Sequence, residues 1–263
     1  MEKLPVFQTV KVAYQSLLEN SSTAVKLCWS WFIVYYSFSA AVGYYALVEQ
    51  QPLYAQTSSI AKVLVTAAIA VAWHRFIILK EQPRGLGAPL NRPVIAYLSI
   101  MIFATFIIMG PAIAANYFLS TSNRFVRFVG NPIIIMGFLA IVSIITAVAL
   151  YRFTLILPAI AIDSKKFKAK ESWRLTQKNT GRLLAGGLLS FIPISVIIYA
   201  LGMIPYLLTG IENPTLLAVF WNLLSVIKVI LEFSQIILIA AFLSFSYLFF
   251  CPEKKKNKIS QTQ

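Results

Sequence analysis

Long apolar runs alternate along this chain with short polar breaks that carry proline and glycine. A helix crosses the hydrocarbon core of a bilayer with about 20 apolar residues. On that measure the pattern predicts six crossing helices, near 26–48, 60–79, 94–120, 131–157, 183–208 and 230–250. A different pattern precedes them. Val6, Phe7, Val10, Ala13, Tyr14, Leu17 and Leu18 recur at three- and four-residue spacing, with Gln8, Lys11, Gln15 and Ser16 on the other face. That spacing predicts an amphipathic helix over 5–18, lying flat at headgroup depth. The last apolar run, 215–250, is too long for one perpendicular crossing: its 36 residues would reach about 54 Å as a helix, against a core of about 30 Å. The part before Lys228 is therefore expected on the outer surface or projecting from the bilayer. Lys228 and Glu232 then face one another across one helical turn at the outer interface. They are a candidate intramembrane ion pair, to be weighed against a solvated pair.

Composition narrows the class. Of 263 residues, 59% are hydrophobic and 12% charged, about half the charge of an average soluble domain, and mean hydropathy is +0.75. Disorder and a soluble domain with one anchor are both excluded. The expected fold is all-α and polytopic, divided into an amphipathic N-terminal segment (1–25), a six-helix transmembrane domain (26–250) and a basic tail (251–263). The net charge of +14 is topological before it is anything else. Nineteen of the 23 lysines and arginines fall on one side of the predicted helices, and only Lys62, Arg124, Arg127 and Lys228 on the other. The positive-inside rule puts the richer side, with both termini, in the cytoplasm. The basic residues are too sparse to line a nucleic-acid groove. Cys28 and Cys251 both fall near the cytoplasmic face, where no structural disulfide is expected.

An internal repeat adds to this picture. Ala70-Val71-Ala72-Trp73-His74-Arg75-Phe76-Ile77-Ile78-Leu79 and Ala147-Val148-Ala149-Leu150-Tyr151-Arg152-Phe153-Thr154-Leu155-Ile156 are identical at five of ten positions. Both close helices that run the same way with one helix between, which makes a parallel two-helix (hairpin) repeat. Ala240 to Tyr247 reads as a degenerate third copy. Arg75 and Arg152 then lie about one turn inside the cytoplasmic ends of their helices, where a planar guanidinium suits a phospholipid phosphate. The alternative is that both are topology anchors. The segment after the second copy adds Lys165, Lys166, Lys168, Lys170 and Arg174, with Trp173 among them. It predicts a cytoplasmic amphipathic element on the anionic inner leaflet, reinforcing the arginines. Asp163 follows the Pro158 turn and reads as a turn or cap residue, and Gly186-Gly187 with Pro193 reads as a close approach or a kink.

Two stretches carry a family resemblance. One is Trp-His-Arg-Phe-x-Ile-Leu-x-Glu, from Trp73 to Glu81. The other is Arg-Phe-x-Leu-x-Leu-Pro-Ala-Ile-Ala-x-Asp followed by Glu-Ser-Trp-x-x-Thr-x-x-Asn, from Arg152 to Asn179. Together they resemble the YciC-like bacterial inner-membrane family, itself similar to the membrane domain attached to some glycerophosphodiester phosphodiesterases. Lys178 stands where that family often has glycine. The resemblance implies a bacterial inner-membrane location and a non-catalytic module linked to envelope upkeep, and it carries over no catalytic residue.

The residue inventory agrees. His74 is the only histidine and the nine acids are scattered, so neither a histidine-based metal site nor paired carboxylates can be assembled by spacing. His74 reads as an interfacial polar side chain. No catalytic residue, cofactor or metal is expected. The expected role is membrane or envelope organisation through anionic phospholipids of the inner leaflet, or through another membrane protein, and not through nucleic acid. A transporter or lipid-moving protein is the alternative, supported by the repeat, the helix-5 glycines and prolines, and Lys228 with Glu232.

Overall fold

In the computed structural model, the structure describes residues 2–49, 52–83, 91–121, 132–164, 167–207 and 214–251. They form α1 (Val6–Glu19), α2 (Ser21–Val48), α3 (Pro52–Leu79), α4 (Arg92–Thr121), α5 (Pro132–Tyr151), α6 (Ile156–Ala161), α7 (Ala169–Thr176), α8 (Thr180–Leu207) and α9 (Pro214–Phe250). Three of these begin on proline, whose fixed φ and missing N–H suit the first helical position. Among the described residues, five helices are long and apolar enough to cross a membrane, where the pattern predicts six, and α5 adds a shorter apolar stretch, Gly137–Tyr151. The chain is an all-α, multi-pass membrane protein.

Two helices make the centre. α3 buries Val65, Ala67, Ala68, Ile69, Ala70, Val71 and Trp73, and α9 buries Ile237, Leu238, Ala240, Ala241, Phe242 and Leu243. Runs of small residues on both let the helix axes approach closely, which is how helices associate where lipid already satisfies apolar surface. α2 and α8 also pack on α9, while α4 and α5 form a pair at one side. The exposed side chains of that pair, such as Phe103, Phe106, Ile141 and Ile145, are a lipid-facing surface.

Two boundaries differ from expectation. The helix predicted to run to 157 stops at Tyr151. The apolar run continues, but the backbone tightens into successive three-residue turns, with Phe153 N–H donating to Leu150 O and Ile156 N–H to Phe153 O. The short α6 then packs on α3, α4 and α9. It ends in a Schellman turn: Ser164 N–H donates to Ala159 O and Asp163 N–H to Ile160 O, with Asp163 at φ 51. Asp tolerates this left-handed position better than most residues, so Asp163 is the turn residue its place after Pro158 suggested. The second difference is α9, which is one unbroken helix of 37 residues. Its first part continues in line with the rest, which fits the projecting arrangement of the two expected, and the helix begins at Pro214 instead of near 230.

α1 is docked on protein as well as amphipathic. Thr9, Val10, Ala13 and Ser16 are buried against the bundle while Phe7 and Leu18 stay exposed, and the helix packs on α8 and α9. One contact explains its seat. Pro193 has no N–H for the Leu189 carbonyl one turn back, and the Tyr14 hydroxyl donates to that oxygen at 3.5 Å.

Candidate functional site

Two polar constellations stand out in this apolar bundle, one at the basic end of the α3–α9 pair and one farther along it. The first is a joint at the basic end. Arg75 comes from the last turns of α3, and Glu81 from the segment just after it. The guanidinium meets the Glu81 carboxylate through two bonds, Nε to Oε2 at 2.8 Å and Nη2 to Oε1 at 2.9 Å, and donates from Nη1 to Ala161 O at 3.0 Å. It therefore satisfies a carbonyl left open at the C-terminus of α6. Lys80, between them, takes a positive φ of 58 and turns the chain so that Glu81 can reach back.

Arg152 is held differently. Its guanidinium lies over the Trp173 ring, 3.6 Å from the centroid, and Nη2 donates to Trp173 O at 3.3 Å. Its buried Nε has no acceptor. Its carbonyl, freed where α5 stops, accepts from Ser172 Oγ at 2.7 Å and Thr176 Oγ at 3.1 Å. Further along, Asn179 Oδ1 accepts from Leu4 N–H at 2.9 Å, Asn179 Nδ2 donates to Glu2 O at 3.1 Å, and Arg182 Nη1 donates to Leu4 O at 2.8 Å. Ser172, Thr176 and Asn179 are almost completely buried. The Glu-Ser-Trp-x-x-Thr-x-x-Asn stretch thus works as a clasp that joins the end of α5, α7 and the N-terminal segment. Lys168 N–H donates to Glu171 Oε2 at 3.3 Å, which closes the start of α7. The same docking turns Lys168, Lys170, Trp173, Arg174 and Lys178 outward. Lys165 and Lys166 lie outside the described residues.

Just inside this joint sits His74, fully buried and not interfacial. Nδ1 lies 2.7 Å from Ser244 Oγ on α9, and Nε2 lies 3.2 Å from the Tyr97 hydroxyl on α4. Ser244 spends its own hydrogen on Ala240 O at 2.8 Å. Ser244 therefore accepts from Nδ1–H, and Nε2 accepts from Tyr97, a set in which every donor has one acceptor. The histidine ties three helices, and this use falls on a residue whose partners lie 23 and 170 positions away.

The second constellation is a cavity of about 690 Å³ between α3, α8 and α9. Glu232 pairs with Lys62 of α3 at 3.0 Å, and not with Lys228 as their spacing suggested. Proximity in sequence favoured Lys228, but the side of α9 that carries Glu232 packs on α3. The side chain of Glu232 is only 13% exposed, so its cross-helix partner offsets the cost of placing a carboxylate there. Lys62 precedes His74 by the same twelve positions by which Glu232 precedes Ser244. Two contacts with equal offsets make α3 and α9 parallel and in register, and put the ion pair about 18 Å along the bundle from the histidine. Lys228 lines the same cavity with Ser195 and Gln235. Gln235 Nε2 donates to Ser195 Oγ at 2.6 Å and to Phe191 O at 2.9 Å, holding α8 to α9.

Nothing in spacing alone pointed to Lys62, Ser172, Thr176 or Gln235. The Ser172 and Thr176 positions were visible only as parts of a longer motif. Residues 125–263 match the family described as the membrane domain of glycerophosphoryl diester phosphodiesterase, a little over half of the chain. No curated protein and no solved structure matches it.

Proposed function

This chain belongs to the family of membrane domains of glycerophosphoryl diester phosphodiesterases, and from that premise we propose a non-enzymatic protein of the bacterial inner membrane that organises its surroundings through phospholipid or membrane-protein contacts. Both termini are cytoplasmic on this reading, and the basic end of the bundle faces the inner leaflet. The observation that carries it is the outer face of α7. Ser172 and Thr176 dock the helix on the protein, and Lys168, Lys170, Arg174 and the neighbouring Lys178 point away from it. Among the described residues, the ion pairs are Lys62–Glu232 and Arg75–Glu81, so none of these outward cations is matched by a carboxylate.

Each such cation near an anionic leaflet contributes about 1 kcal/mol. Trp173, beside them, is 38% exposed and suits headgroup depth. Arg152, stacked on Trp173, positions the surface that α7 presents, and Arg75, tied to Glu81 and to the end of α6, belongs to the same basic end. Neutralising Lys168, Lys170, Arg174 and Lys178 to glutamine should strip anionic phospholipid from protein captured in native nanodiscs, read by mass spectrometry against bulk lipid. The same lipid profile before and after would sink the lipid reading. A protein partner retained stoichiometrically with bulk-like lipid would favour the assembly role. A lipid-moving role is the second reading, favoured by the polar cavity farther along the bundle.

A further inference from the structure

The cavity between α3, α8 and α9 has a charge imbalance that its structural contacts do not use. Lys62 and Glu232 neutralise one another at 3.0 Å. Lys228 also lines the space, is exposed, and has no carboxylate within ion-pair distance among the described residues. The cavity therefore carries one surplus positive charge, which repels cations and favours an anion. Its walls differ in character. The α3 and α9 side presents Lys62, Lys228, Glu232 and Gln235, whereas α8 contributes Phe191, Tyr199 and Met203, all three substantially exposed. α3 and α8 both pack on α9 and hardly on one another, so the space is a cleft open to the side, with α9 as its back wall. A volume of about 690 Å³ lies in the range of ordinary ligand sites.

We propose that this cleft binds the phosphate group of an anionic amphiphile. Lys228 supplies the counter-charge, the Lys62–Glu232 pair forms a fixed polar wall, and the hydrocarbon portion leaves along the apolar side of α8. An amphiphile fits better than a wholly polar solute because every charged group lies on the α3 and α9 side, while α8 offers mainly apolar surface and its Ser195 is already engaged by Gln235. Binding here is independent of the α7 contact, which uses none of the residues that line the cleft, and the two can fail separately.

The test uses the full chain in nanodiscs of mixed phosphatidylglycerol and phosphatidylcholine, with bound lipid counted by native mass spectrometry. Four proteins are compared: wild type, Lys228→Gln, Lys228→Arg and the α7-neutralised variant. Lys228→Gln should retain its most tightly held phosphatidylglycerol roughly tenfold less well, the size of one charge-assisted contact. Lys228→Arg should restore it, and the α7-neutralised protein should keep it. Acylation of Lys228 in detergent, with and without inorganic phosphate, then separates the sources of the group. Protection by inorganic phosphate supports a site for the free anion as well, and lipid loss without that protection supports a headgroup site. Lipid loss that arginine does not restore would overturn the proposal. So would wild-type lipid retention in Lys228→Gln together with unprotected acylation.

Discussion

At Gly186 and Gly187 one added methyl group is enough to disturb the seat of α8. A Cβ on Gly186 would enter the Phe242 ring, and one on Gly187 would enter the Tyr151 hydroxyl. Both obstacles are the far ends of rings, but they differ in how they can relax: Phe242 is fully buried and has nowhere to withdraw, whereas Tyr151 is only partly buried. Gly186→Ala should therefore cost about 1–3 kcal/mol, the range for overpacking, read as a fall in thermal unfolding temperature in detergent. Gly187→Ala should cost less and be partly relieved by Tyr151→Phe. Equal losses in both, or no relief, would show that these glycines do not set the approach. His74 belongs at this scale too. Its type was plain in the sequence, but burial depends on Tyr97 and Ser244 standing ready on two other helices, which local pattern does not encode.

The short α7 shows an element whose docking face is polar. The run of basic residues around Trp173 marks an amphipathic element, and Lys168, Lys170 and Arg174 do point outward. The inward face is another matter, because it is built from Ser172, Thr176 and the adjoining Asn179, which bury hydroxyls and an amide instead of hydrocarbon. A reading based on apolar periodicity has no signal for such a face. The early end of α5 has the same origin: residues 153–157 stay apolar enough to continue a helix, but the Arg152 carbonyl is claimed by α7. The Ser172→Ala/Thr176→Ala double variant should leave that carbonyl without its side-chain donors and loosen α7. Limited trypsin digestion should then cut faster at Lys168, Lys170 and Arg174, with fragments assigned by mass spectrometry. Unchanged cleavage would mean that stacking of Arg152 on Trp173 holds α7 by itself.

For the molecule as a whole, the apolar runs made the spans legible, since burial in lipid demands about 20 apolar residues wherever a helix crosses. The partner of Glu232 was not legible, because Lys228 competes with it in sequence and only packing brings Lys62 across from α3. The orientation proposed from charge distribution can be checked directly. With Cys28 and Cys251 replaced by alanine, a cysteine at position 228 should react with an impermeant maleimide in intact cells whose outer membrane admits it. One at position 170 should react only after the inner membrane is opened. The opposite pattern would invert the topology.

The clasp on the N-terminal segment has a consequence for the order of assembly. Leu4 is held by Asn179 and Arg182, and α1 rests on α8 and α9. A ribosome making about 5–20 residues per second therefore releases α1 many seconds before its receptor exists. During that interval the apolar stripe of the helix lacks the partners that bury Thr9, Val10, Ala13 and Ser16 in the finished fold. The docked state of α1 therefore cannot form until α8 and α9 have been made, so the first helix of the chain is among the last to reach its place.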